Sequence, residues 1–131
     1  MLRAGFHIHG SADRRFAEAD YHVHDGLSLL AISYVGVGTA ATSAGGTTGS
    51  VTPTLPSGLQ ANDLMIIMVT GRGNHSFATP TGWTQKFQEQ LYPTDNLHKL
   101  AIFYKFYVAG DGNPVVSWTG GGTNQTVIAQ V

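Results

Sequence analysis

The chain has 131 residues, a net charge of −1, 11% charged and 42% hydrophobic residues, and no cysteine. That length holds one domain, with or without a tail. So few charges argue against a coiled coil or a charged disordered tail, the seven scattered Lys and Arg form no stripe for phosphates, and the missing thiols exclude disulfides, thiolate catalysis and cysteine zinc sites.

Seventeen glycines, five prolines and 14 threonines, all of the threonines after residue 38, speak for an all-β chain and against a helical bundle. The charges are unevenly placed: seven of the 15, and four of the six histidines, fall in residues 1–30. The chain therefore reads as an N-terminal extension, 1–30, and a β domain, 31–131. The extension is expected to be poorly ordered, irregular or a short helix capped by Ser11. His7, His9 and Asp13 interrupt any apolar stretch that a secretory leader would need, so none is expected.

In the second region Ile32 to Val37 is the first expected strand, followed by a Gly/Ser/Thr-rich loop from Gly38 to Gly46. Thr47 to Leu55 is expected to be extended and, with Pro53 and Pro56, to lie at an edge. Gln60 to Asp63 reads as a polar turn. The apolar run Leu64 to Val69 predicts a strand buried on both faces, too short to span a membrane, and Gly71 to Pro80 a loop. Trp83, Gln85, Phe87, Glu89 and Leu91 then alternate as a core-facing set. After a turn at Tyr92 to Asn96, Leu100, Ile102, Tyr104, Phe106 and Val108 form a second apolar set. Phe103 and Tyr107 are assigned to the opposite, outward side. The two segments predict an antiparallel hairpin. Strands at Val115 to Thr119 and Thr126 to Val131 complete about seven, the pattern of an antiparallel, jelly-roll-like β-sandwich. The chain stops on Val127-Ile128-Ala129 without a turn or polar tail. That predicts a sandwich incomplete at its C-terminus.

Chemistry-bearing motifs are few. His7-Ile8-His9 and His22-Val23-His24 could place four imidazoles in pairs on strands, with Asp13, Asp20 and Asp25 nearby. The first pair is similar to the cupin pattern, but Asp13 stands in place of its glutamate. An exposed His-rich tail is the favoured reading, a metal site formed by His7, His9, His22 and His24 the remote one. Gly36-Val37-Gly38-Thr39-Ala40-Ala41 fits a dinucleotide fingerprint by letter only, since the following glycines and Pro53 forbid the helix that would bind the pyrophosphate. Asp63 and Asp111 fall in turns, where they bond their own backbone, and Glu89 has no evident partner. Ser76, His75 or His98, and Asp95 could assemble a triad, but no nucleophile elbow supports it. No enzyme and no cofactor is expected. Outward aromatics and polar loops are the candidate binding residues: Phe103 and Tyr107, with Arg72, Asn74 and His75 in one loop and Tyr92 in another.

Four stretches carry a resemblance: Ala31-Ile32-Ser33-Tyr34-Val35-Gly36, Pro56-Ser57-Gly58-Leu59-Gln60-Ala61-Asn62-Asp63-Leu64, Thr79-Pro80-Thr81-Gly82-Trp83-Thr84 and Ile102-Phe103-Tyr104-Lys105. In this order residues 31–131 resemble a β-sandwich family of virion proteins in tailed phages and prophages, also found in some bacterial surface proteins. The motifs build a fold, with Pro80-Thr81-Gly82-Trp83 read as a turn that places Trp83 at the start of a strand, facing the core, and they carry no catalytic signature. Family members often begin near Ile32 and continue beyond this chain's end, so the resemblance implies that 1–30 is a native extension or an overlong start. It also implies a non-enzymatic structural and binding module of a tail fibre, tail tip or capsid decoration. Such a module is assembled in the bacterial cytoplasm into the virion, with itself or other virion proteins as partners. The alternative is a carbohydrate-binding module of a bacterial surface or secreted protein, with a cell-surface glycan as partner; a His-ligated cupin-like metalloprotein is the remote third. Neither nucleic-acid binding nor membrane insertion is expected.

Overall fold

The computed structural model describes residues 32–44, 46–91, 98–122 and 125–131. Among them there is no helix and there are eight strands: β1 (Ala41–Ser43), β2 (Thr48–Val51), β3 (Leu64–Arg72), β4 (His75–Phe77), β5 (Thr84–Gln90), β6 (His98–Phe106), β7 (Val116–Gly120) and β8 (Val127–Gln130). They form a five-stranded sheet, β1-β8-β3-β6-β5, and a three-stranded sheet, β2-β7-β4. Every pairing is antiparallel. The described residues form an all-β sandwich.

The connectivity is that of a jelly roll with one departure. In a jelly roll the strands pair 1 with 8, 2 with 7, 3 with 6 and 4 with 5, alternate pairs going to opposite sheets. Here β1–β8, β2–β7 and β3–β6 are all formed. β5 instead pairs with β6, at the far edge of the larger sheet. This leaves β4 as an edge, and a side chain replaces part of the absent ladder: the Phe77 amide donates to the Gln88 Oε1 on β5, at 2.9 Å.

The core lies between the sheets. Ile67, Val69, Ala101, Phe103, Val127 and Ala129 come from the larger sheet, and Val51, Phe77, Val116 and Trp118 from the smaller. Each is a strand residue whose sequence neighbours face the other way, the period-two rule of a pleated strand.

Several expectations are corrected. Residues 32–37 form no strand; Ile32, Tyr34 and Val37 are exposed. A β-branched run needs a backbone partner, and the ladder with β8 reaches back only to Gly38, whose amide donates to the Val131 carbonyl. The loops assigned to Gly38–Gly46 and Gly71–Pro80 contain the short strands β1 and β4. β3 is a strand, but it is buried on one face only: Met65, Ile67 and Val69 point inward, while Leu64, Ile66 and Met68 are about half exposed. β6 is turned over relative to the expected orientation, with Ala101 and Phe103 fully buried and Phe106 on the outer face. In β5 a bulge between Gln85 and Phe87 flips the second half of the strand. Phe87 and Glu89 therefore sit with Ile102 and Leu100 on the outer face, and Gln88 sits with Ala101 inside.

Two turns hold as expected. Trp83 donates its amide to the Pro80 carbonyl, and Gly82 takes the positive φ of 79° that this turn requires. Trp83 then packs on the core. Before β3, the Gln60 amide donates to the Asp63 carboxylate and the Asp63 amide to the Gln60 carbonyl. The hairpin turn at Tyr92 to Asn96 and the extension 1–30 lie outside the described residues.

The orientation of β6 has a direct test. Phe103→Ala should cost about 3–5 kcal/mol by denaturant unfolding, as for a fully enclosed aromatic. Phe106→Ala, at a half-exposed position, should cost less than about 1 kcal/mol. Equal losses would refute the assignment of faces.

Candidate functional site

The five candidate binding residues among the described ones do not form one site. Phe103 is fully buried between the sheets and presents no ring to a ligand. Its position follows from the ladder, which pairs it with Ile67, itself fully buried. Tyr107 is half-buried just past β6, and its amide and carbonyl clamp the turn before β3 by bonding the Asp63 carbonyl and the Asn62 amide. Arg72 is the last residue of β3 and exposed. Asn74 is exposed in the tight β3–β4 connection, and its carbonyl accepts from the Gly121 amide. Tyr92 lies outside the described residues, as do His7, His9, His22 and His24. Among the described residues no group of three or more His, Asp or Glu could hold a metal ion.

His75, placed in an exposed loop by the sequence reading, is fully buried on β4. Its ring stacks on Phe77 at 5.8 Å between centroids and meets Trp118 edge-on at 6.2 Å. The ring reaches the facing sheet, where Gly71 leaves room: a Cβ at Gly71 would sit 2.6 Å from His75 Cδ2. A Cβ at Gly121 would overlap the ring as well. Neither ring nitrogen has a hydrogen-bond partner among the described residues; nor do the Trp118 Nε1 and Gln90 Nε2. The small sheet thus carries an aromatic layer with orphaned polar atoms at its heart. Ser76, next in sequence, points to the opposite side of β4, so the two cannot form a nucleophile–base pair. Glu89 is on the outer face of β5, away from Asp63 and Asp111.

A groove with a volume of about 260 Å³ lies at the end where β5 begins and β6 ends. Pro80, Trp83 and Pro114 form its apolar walls, and Lys105, Asp111 and Asn113 supply its polar groups. The polar groups are already engaged in hydrogen bonds. The Lys105 Nζ donates to Asp111 Oδ1 at 2.6 Å, the Val108 amide donates to Asp111 Oδ2 at 2.9 Å, and the Asn113 Oδ1 accepts from the Leu55 amide. The Lys105 hydrogen bond, chiefly, and the Val108 amide hold the Asp111 carboxyl below its ordinary value of 3.8. The arrangement closes the turn after β6 with a charge-assisted bracket.

The third feature is the outer face of the five-stranded sheet. Leu64, Ile66, Met68, Phe106 and Ile128 are 41–57% exposed there. The ladders place Leu64 beside Phe106, Ile66 beside Tyr104, and Met68 beside Ile102, whose other neighbour is Phe87. Scattered exposed apolar residues are ordinary, but a contiguous face of them marks an interaction surface. Its signal was present in the sequence: β3 and β6 are apolar at consecutive positions, more than one buried face can use.

No family model matches the chain, and neither the curated proteins nor the solved structures hold a match. The resemblance to phage virion sandwiches rests on the four motifs.

Two measurements check this geometry. Because the imidazole nitrogens of His75 are orphaned, His75→Leu should leave the unfolding free energy level or raise it by up to about 1–3 kcal/mol; a comparable loss would mean that the ring has a partner. For Asp111 the lowered pKa sets the sign. Its stabilisation is present above the ordinary carboxylate value and disappears as pH falls through the lowered one. Asp111→Asn should therefore melt below the parent at neutral pH, with the two melting curves converging in acid.

Proposed function

We propose that residues 31–131 form a non-catalytic structural and binding module of a phage or prophage virion surface, of tail-fibre, tail-tip or decoration type. The observation that carries this reading is the apolar outer face of the five-stranded sheet. A protein that works alone in water gains nothing from such a face, whereas a subunit repeated in an assembly covers it. The four motifs support the same setting, since they resemble stretches of sandwiches that build virions. Activity in this reading is non-covalent: the sandwich holds its loops rigidly, and multiple copies add avidity.

A second reading, carbohydrate binding at a bacterial surface, has one observation in its favour. The groove places a half-buried indole beside an ion pair and an amide, groups that stack on and hydrogen-bond to sugar rings. It moves the candidate residues from Phe103 and Tyr107 to Trp83, Lys105, Asp111 and Asn113.

Sequencing the DNA on both sides of the reading frame separates the two. Capsid or tail genes as neighbours, together with the protein in purified particles by mass spectrometry, are the expected result. Sugar-processing neighbours with glycan-array binding lost in Trp83→Ala would overturn the virion reading in favour of the second.

A further inference from the structure

We infer that the groove between the Pro80–Trp83 turn and the connection after β6 takes one ring of a neutral hexopyranose, its apolar ring face against Trp83 and its vicinal hydroxyls on Lys105, Asp111 and Asn113. The inference rests on the reading of that groove as carbohydrate-binding and goes beyond it by naming the class of sugar and the role of each side chain. It applies to a virion module as well as to a cell-surface one, since many displayed copies multiply a weak contact.

The site is built before a ligand arrives. Trp83 is fixed by its amide bond to the Pro80 carbonyl and by packing on the core. Lys105 lies across this turn: a Cβ at Gly82 would be 3.5 Å from its Nζ. The same Nζ reaches Asp111 Oδ1 at 2.6 Å, so one ion pair joins the two turns that flank the groove. The Val108 amide holds the other carboxylate oxygen, and the Leu55 amide holds the Asn113 Oδ1. Ligand binding therefore orders few side chains, which removes a main entropic cost of association.

Each polar group keeps bonding capacity among the described residues. Lys105 uses one of its three donors, each Asp111 oxygen accepts one bond and has a lone pair left, and the side-chain amide N–H groups of Asn113 are unused. Donors and acceptors side by side suit a ligand group that is both, which is the hydroxyl, and adjacent protein groups suit adjacent hydroxyls. The charges of the lining cancel, with Lys105 as its cation and Asp111 as its anion. A phosphate or carboxylate would offer acceptors only and would meet the Asp111 carboxylate; an ammonium ligand would meet Lys105. The apolar walls, Trp83 with Pro80 and Pro114, match the face of a pyranose ring that carries C–H groups. The volume of about 260 Å³ is below the roughly 300–1,000 Å³ of pockets for drug-sized ligands, the scale of a single ring.

The test is an NMR titration of the full, isotope-labelled 131-residue chain with the methyl glycosides of glucose, galactose and mannose, with methyl glucuronoside as the anionic counterpart and adenosine as a flat aromatic one. Saturable shifts at Trp83, Gly112 and Asn113 with at least one neutral glycoside are expected, with the glucuronoside about tenfold weaker. Lys105→Met should weaken binding about tenfold, Asn113→Ala about threefold and Trp83→Leu about tenfold, with the β-sheet circular dichroism retained. Glycoside binding indifferent to both Lys105→Met and Asn113→Ala would overturn the site. Adenosine binding more tightly than every neutral glycoside would overturn the ligand class, and glucuronoside binding as tightly as the neutral sugars would overturn the neutrality. No shift with any neutral glycoside would overturn the inference as a whole. A glycan array positive for anionic glycans alone, and lost in Trp83→Leu, would then leave the carbohydrate reading of the groove standing, whereas a silent array would remove that reading too. The virion reading stands or falls separately, on the neighbouring genes.

Discussion

The ladder between β3 and β6 constrains everything else in the sandwich. It runs unbroken over nine residue pairs, from Leu64 with Phe106 to Arg72 with His98. Since directly opposed residues of antiparallel strands share a face, one choice of register sends Ile67 and Phe103 inward together and Ile66 and Tyr104 outward together. A slip by one residue would exchange the two sets. What holds the observed register is the second sheet. Val116 and Trp118 on β7 and Phe77 on β4 complete the layer that encloses Phe103. β8, on the other flank of β3, adds Val127 and Ala129 at positions that match Gly71 and Val69.

Large rings set against glycines define the rest of the interior. His75 lies over Gly71, and Trp118 lies over Gly49 on the neighbouring strand, where a Cβ would come within 2.5 Å of the indole Cζ2. Neither glycine is needed for backbone conformation at these places; each is needed for space. The two rings fill the small sheet's side of the sandwich, but they bring nitrogens into it that find no partner among the described residues. A β4–β5 ladder would have closed this edge with backbone bonds. β5 pairs with β6 instead, on both sides of its bulge, and the Gln88 side chain supplies one of the missing bonds to β4.

The sandwich class was legible because threonine, glycine and alternating aromatics leave little room for a helix. The turns before β3 and β5 were legible because Asp63, Pro80 and Gly82 act on their own backbone within four residues. The faces of β6 were not. Leu100, Ile102, Tyr104 and Phe106 are more hydrophobic as a set than Lys99, Ala101, Phe103 and Lys105, so periodicity alone selects the wrong side. Only the neighbours of the strand show that the weaker set encloses the core and the stronger set is left outside. The bulge at β5 was hidden for a similar reason, since a single inserted residue leaves both halves of the strand with sound alternation. β1 and β4 are three residues each, too short to register as periodic, and His75 in β4 resembles a loop residue until Gly71 and Gly121 are seen to make room for it.

The inversion of β6 also links the interior to the surface. A chain with one apolar face per sheet would have placed its strongest hydrophobic set inside, because burial of large aliphatic side chains is the main favourable term in folding. Here the inner set includes two lysines and an alanine, and the His75 and Trp118 nitrogens inside have no hydrogen-bond partner among the described residues. A domain of about a hundred residues without disulfides has little stability in reserve. Covering the outer set then does two things at once. It removes Ile66, Met68 and Phe106 from water, and by mass action it stabilises the folded state that alone presents them together. The distribution of hydrophobicity between the two faces is unfavourable for a solitary sandwich and favourable for a repeated one.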